Sequence, residues 1–87
     1  MLTIYSKNNC PFCDKVKYIL KNKNIAFNEI KIDEDQEARE WLIVQGHRTA
    51  PQIYLGNILF VQGGYQGLAK LSDEELFNKL GESSVSN

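Results

Sequence analysis

An α/β fold, with helices over a four-stranded mixed sheet, is the architecture the sequence predicts, and three observations predict it. Short β-prone runs at 2–6 and 27–32 are each followed by a stretch whose apolar residues recur at helical spacing. Two successive β-to-α steps imply parallel pairing through right-handed crossovers. Farther on, Gly56-Asn57 separates two apolar runs as a tight hairpin does, so the third and fourth strands are expected to be antiparallel. The predicted order is β-α-β-α-β-β-α, a single layered unit.

Leu2-Thr3-Ile4-Tyr5-Ser6 carries apolar residues on both faces, as a strand covered on both sides does, and is read as central. After the polar turn Lys7-Asn8-Asn9, Val16, Ile19 and Leu20 mark the apolar face of the first helix, which Asn22-Lys23-Asn24 ends. Phe27 to Ile32 reads as the second strand, with Phe27 out of phase with the alternation of Ile30 and Ile32. Asp33 and Gln36 resemble a capping box for a second helix whose face is Ala38, Trp41, Leu42 and Gln45, closed by Gly46. Pro51 opens Gln52–Leu55, and Ile58–Val61 returns beside it. Gly63-Gly64 breaks that strand, and Leu68 with Leu71 forms a short helical turn. Ser72 and Glu75 make a capping box for the last helix, with Leu76, Phe77 and Leu80 as its core face and Gly81 as its stop. Residues 1–81 are thus one domain, and 82–87 a polar, frayed tail.

At 87 residues the chain is long enough for one core, and 43% hydrophobic residues suit a globular domain. Ten basic against eleven acidic side chains leave a net charge of -1, which excludes bulk attraction to nucleic acid or to an anionic membrane. No apolar stretch approaches the roughly 18 residues of a membrane span, and no basic leader precedes an apolar segment, so a cytoplasmic, monomeric protein is expected. In that reducing compartment the two cysteines, Cys10 and Cys13, suit catalysis or metal binding better than a permanent staple.

Cys10-Pro11-Phe12-Cys13 lies between the first strand and the first helix. Pro11, lacking an N-H and with a preset φ, suits the first helical position and leaves Cys10 at the helix lip. Cys13 then falls three residues along the same face, within reach of Cys10. The N-terminal amides and partial positive charge of the helix favour a thiolate at Cys10, whereas Cys13 leans toward the apolar face. An exposed, reactive Cys10 and a sheltered Cys13 are expected.

Lys7 three before this tetrapeptide, then Thr49-Ala50-Pro51-Gln52-Ile53, then Gly63-Gly64-Tyr65 complete a pattern that resembles a dithiol glutaredoxin of the thioredoxin fold, over residues 2 to about 80. The resemblance implies glutathione-dependent thiol-disulfide exchange, with glutathione as co-substrate and no permanently bound cofactor. Implied partners are glutathionylated or disulfide-containing proteins, ribonucleotide reductase among them. It assigns Cys10 as nucleophile and Cys13 as resolving thiol. Glutathione would lie against Lys7, Phe12, Thr49, Ala50, Pro51, Gly64, Tyr65 and Gln66. In that assignment Lys7 pairs with the glycine carboxylate, and a cis Pro51 exposes the Ala50 backbone to an extended peptide.

Sequence alone favours a trans bond at Pro51; only the resemblance implies cis. The chain also departs from the pattern. Thr49-Ala50 replaces Thr-Val and Phe12 replaces tyrosine. Gln66 and Gly67 stand where an aspartate or hydroxyl residue grips the γ-glutamyl ammonium, so weaker glutathione binding is expected. Asp14 opposes the thiolate if it turns toward the sulfurs.

Blander readings stand beside these: Lys7 as a solvated turn lysine, Gly63-Gly64 as a plain turn, Trp41 as core, and His47 and Arg48 as solvated loop residues. The acidic run Asp33-Glu34-Asp35 is explained by helix capping and dipole compensation. Two functional alternatives remain. One is a thioredoxin-like hydrogen donor served by a reductase. The other is a metal or iron-sulfur protein, for which the chain offers only Cys10, Cys13 and His47, so that a partner would have to complete the ligand set.

Overall fold

The computed structural model describes residues 1–85, with side chains described through residue 81. Its elements are β1 (Leu2–Ser6), α1 (Pro11–Asn22), β2 (Phe27–Lys31), α2 (Gln36–Val44), β3 (Gln52–Leu55), β4 (Ile58–Val61), α3 (Gly64–Lys70) and α4 (Asp73–Val85). The sheet order is β2-β1-β3-β4, with β1 parallel to β2 and antiparallel to β3, and β3 antiparallel to β4. This is the mixed four-stranded sheet and thioredoxin-like fold expected, with β1 central.

Alternation along β1 sends Leu2, Ile4 and Ser6 to one face and Thr3 and Tyr5 to the other. On the first face Leu2, Ile4 and Ile53 meet Val16 and Leu20 of α1, Leu68 of α3 and Leu76 of α4 in one buried cluster. Burying each such side chain contributes roughly 1.5–3 kcal/mol. On the second face Trp41 of α2 stacks on Tyr5 at 5.7 Å and meets Tyr54 edge-on at 5.0 Å. Burial holds the Tyr54 phenol above its ordinary pKa, so its hydroxyl stays protonated and shares a 2.6 Å hydrogen bond with His47 Nε2. Trp41 is therefore a packing residue, and His47 has a sheet-face partner that sequence did not suggest.

The same two-sidedness explains Phe27. Paired with Leu2, it packs on the first core, whereas Ile30, paired with Tyr5, points to the second face. β2 is not misphased; it serves both faces at its two ends.

Three local expectations change. Asp35, not Asp33, is the N-cap of α2, accepting from the Ala38 N-H at 3.1 Å. Asp33 instead accepts from the Asn8 N-H at 3.0 Å, a bond that holds its carboxyl below the usual range. Glu34 accepts from Asn8 Nδ2 at 2.7 Å, so two carboxylates of the acidic run brace the loop before Cys10. In place of a short turn at Leu68 and Leu71 there is a seven-residue helix, α3, that contains Leu68 and ends at Lys70, with Leu71 as its extended C-cap. Last, α4 runs through Gly81 to Val85, so the helix takes in most of the segment expected to be a frayed tail. Its start is as expected: Ser72 and Glu75 exchange bonds of 3.0 and 3.1 Å. Phe77 is 48% exposed, leaving Leu76 as the buried anchor of α4.

Ser6, Glu29 and Lys17 tie β1, β2 and α1 together. The Ser6 hydroxyl donates to Glu29 Oε2 at 2.7 Å, and Lys17 Nζ donates to the same oxygen at 2.8 Å. The Lys17 bond, then that of Ser6, holds the Glu29 carboxyl below its ordinary value of 4.5. A depressed carboxyl stabilises the fold above the unfolded-state pKa and loses that contribution as pH falls through the folded value. The contribution should therefore be complete at pH 6 and vanish well below 4.5. Urea unfolding at about pH 6 and about pH 3 should show wild type losing roughly 0.5–1 kcal/mol more than Glu29→Gln over that interval. Equal losses would remove this role for the pair.

Gly67 lets α3 lie against the end of β4: a Cβ there would collide with the Gln62 carbonyl and Val61 Cγ2. Since the obstacle includes backbone, Gly67→Ala should destabilise by about 2–3 kcal/mol, read as a lower urea midpoint with unchanged slope.

Candidate active site

Cys10 is the N-cap of α1, in extended conformation with φ -121°, and Pro11 is the first helical residue. The Cys10 Sγ accepts from the Cys13 N-H at 3.2 Å, so one of the free amides of the helix end points at the sulfur. Cys10 and Cys13 are joined in a disulfide, with Cα atoms 5.2 Å apart. The structure is thus the oxidised state of the pair. In the reduced state the same amide would favour a thiolate at Cys10 over the thiol.

The expected asymmetry is present in order but small in degree. Cys10 is 6% exposed and Cys13 1%, so both sulfurs are buried in the oxidised form. Phe12, half exposed, covers this side, with its ring centroid 5.6 Å from that of Tyr65. Asp14 does not turn toward the sulfurs; its carboxylate lies 3.6 Å from Lys17 Nζ.

The Ala50-Pro51 peptide bond is cis, as the resemblance implied. The Ala50 carbonyl lies 4.0 Å from Cys10 Sγ, where it can accept the thiol proton in the reduced state. Gly64 approaches Pro51 so closely that a Cβ would strike the Pro51 carbonyl, and Gly63 and Gly64 both have positive φ, +87° and +55°. Gly63-Gly64 is therefore more than a turn. It is the contact that brings the start of α3 against the cis-proline.

These elements enclose an open groove of about 440 Å³ lined by Phe12, Thr49, Ala50, Pro51, Gly64, Tyr65 and Gln66, with Gln52 and Gly63. Seven of the residues expected to bind glutathione are thus brought together from three separate stretches of chain. Lys7 is not among them: it is exposed and, among the described residues, makes no hydrogen bond or ion pair. Lys15, in contrast, does contact two of the groove's residues: its Nζ lies 5.3 Å from the ring centroids of both Phe12 and Tyr65. Its position one turn past Phe12 was readable as i+3 spacing; its second partner, Tyr65, comes from α3 and was not.

A thiol pair at a helix N-terminus, next to a peptide-sized groove, can exchange with a disulfide held in that groove. Comparison with known proteins gives the same chemistry. The family model described as Glutaredoxin matches residues 2–60. The glutaredoxin-like protein NrdH of Lactococcus lactis subsp. cremoris is 47% identical over 72 residues, covering 83% of this chain and all of that protein. Glutaredoxin 1 of Rickettsia conorii is 35% identical over 85 residues, covering 94% of this chain and 81% of that protein. Among solved structures, a buckwheat glutaredoxin-glutathione complex superposes with a TM-score of 0.74 at 27% identity, covering 93% of this chain and 76% of that one. The Escherichia coli glutaredoxin-like NrdH-redoxin, described by its thioredoxin-like activity profile, gives 0.62 at 35% identity, covering 66% and 75%. With the cysteine pair, the cis-proline and the glycine pair all in one site, the chain belongs to the glutaredoxin family of thiol-disulfide oxidoreductases.

Proposed function

We propose that the protein reduces protein disulfides by a dithiol mechanism and draws its electrons from glutathione. The observation that carries this reading is the Cys10-Cys13 pair at the N-terminus of α1, beside a groove floored by Thr49, Ala50 and cis Pro51. In the reduced protein the Cys10 thiolate attacks one sulfur of the substrate disulfide, forming a mixed disulfide and expelling the other sulfur as a thiolate. Cys13, deprotonated, attacks Cys10 Sγ and releases the second substrate thiolate. The substrate gains two electrons, and the pair returns to the disulfide seen here. Two glutathione thiols then restore the dithiol, leaving as glutathione disulfide. An extended substrate or glutathione can pair with the Ala50 backbone, and the Thr49 hydroxyl and Tyr65 ring border the same groove. Within this reading the protein acts as a cytoplasmic monomer, and ribonucleotide reductase is one candidate substrate. Lys7 would have to swing from solvent to reach a bound carboxylate.

A second reading has its own observation. No acidic side chain lines the groove, and Gln66 stands where a carboxylate would meet the γ-glutamyl ammonium. That favours a thioredoxin-like donor, re-reduced by a flavin reductase rather than by glutathione, and the NrdH relatives support it. The two readings separate in one assay: turnover of a disulfide substrate with glutathione plus glutathione reductase, against turnover with thioredoxin reductase. Efficient glutathione-driven turnover is expected; turnover only with thioredoxin reductase would replace the first reading by the second.

Either reductant requires the same nucleophile. Cys10→Ser should lower disulfide reduction by at least about a thousandfold. Cys13→Ser should keep the first attack and accumulate a mixed disulfide with protein substrates, visible as a mass adduct. Retained turnover in Cys10→Ser would overturn the assignment of roles.

A further inference from the structure

The disulfide groove does not end at Thr49. A second groove, of about 450 Å³, opens between α2 and the segment after it and shares Thr49 with the first. Ile32, Leu42 and Ile43 supply its apolar side, and Arg39, His47 and Arg48 its polar side. No aspartate or glutamate lines either groove. Among the described residues neither Arg39 nor Arg48 pairs with a carboxylate, and Lys15 adds a further ammonium at the Phe12–Tyr65 side. Because the whole chain carries a net charge of -1, this positive rim is a local arrangement. Glu29, Glu34 and Asp35 line, together with Lys31, a separate groove along β2, and the Asp14 carboxylate lies 3.6 Å from Lys17 Nζ.

We propose that the two grooves form one docking channel for the extended segment that carries a substrate's disulfide. The channel selects segments with aspartate or glutamate beside the reactive cysteine, on the side that runs past Thr49 toward Arg48 and Arg39. An apolar residue of the same segment rests on Ile32, Leu42 and Ile43. The inference rests on the reading of the protein as a reductase of protein disulfides and names the class of protein it serves. Opposed charge raises the rate of encounter and disfavours basic competitors, and does so more at low salt. It also follows that glutathione, whose γ-glutamyl ammonium meets no carboxylate here, has no electrostatic advantage over an acidic peptide.

The test uses fully reduced protein and synthetic peptides that each contain one Cys-x-x-Cys disulfide, with acidic, neutral or basic residues on its N-terminal or C-terminal side. Single-turnover oxidation of the protein is followed, so the result does not depend on which reductant serves it. An acidic flank on one of the two sides should raise the second-order rate about tenfold over the neutral peptide, and a basic flank should lower it. In Arg39→Gln/Arg48→Gln that advantage should shrink to within about twofold, as it should in wild type at about 0.5 M salt. Reduction of hydroxyethyl disulfide, which is uncharged, should be equal in wild type and the double variant. Equal rates for acidic and neutral peptides on both sides, or an acidic advantage that survives in the double variant, would overturn the proposal. Failure of wild type to reduce hydroxyethyl disulfide at all would instead overturn the reductase reading beneath it.

Discussion

The hydrogen bond from the Cys13 amide to the Cys10 sulfur is the interaction on which the site depends. A helix end has donors with no partner inside the helix, and this chain gives one of them to a sulfur rather than to a serine or aspartate. The cap is therefore also the reactive group. That dual use constrains the neighbours. Pro11 has to occupy the first helical position, where its missing N-H costs nothing, and the loop before Cys10 has to arrive in extended conformation. The loop is held by Asn8, which Asp33, Glu34 and Lys31 bind through its backbone and side chain. Ionisable groups far along the chain thus set the approach of the nucleophile without touching it.

Around this cap the fold divides its labour between two sheet faces. The first face, with α1, α3 and α4, builds the aliphatic core. The second, with α2, is aromatic and carries the His47-Tyr54 hydrogen bond. The cis-proline segment is the seam between the two. Gly64, at the start of α3, closes against its Pro51 carbonyl.

Much of this was legible in the residues. Strand and helix positions followed from periodicity, the hairpin from Gly56-Asn57, and the last helix start from Ser72 with Glu75. The redox pair followed from spacing and Pro11. What spacing could not give was anything requiring two distant segments to meet. Asp33 looked like a cap because Gln36 stands three residues on, but its carboxylate found Asn8, which no local pattern predicts. Gly81 looked like a stop, yet glycine ends a helix only if the backbone turns left-handed there, and no positive φ is found at Gly81. The resemblance made Lys7 a ligand of the active site, whereas Lys15, which helical periodicity only turned away from the apolar face, is the lysine whose Nζ lies 5.3 Å from the rings of both Phe12 and Tyr65.

The stack of Trp41 on Tyr5 and Tyr54 has a practical consequence. It is the protein's sole indole, and it is attached to the face of the sheet opposite the helix that bears the sulfurs. Its emission therefore reports on whether the sheet and α2 are joined, and hence on denaturation. A catalytic cycle that changes only one sulfur-sulfur bond on the other side would pass beneath that optical probe almost unseen, so an observer of turnover needs a mass shift or a thiol dye.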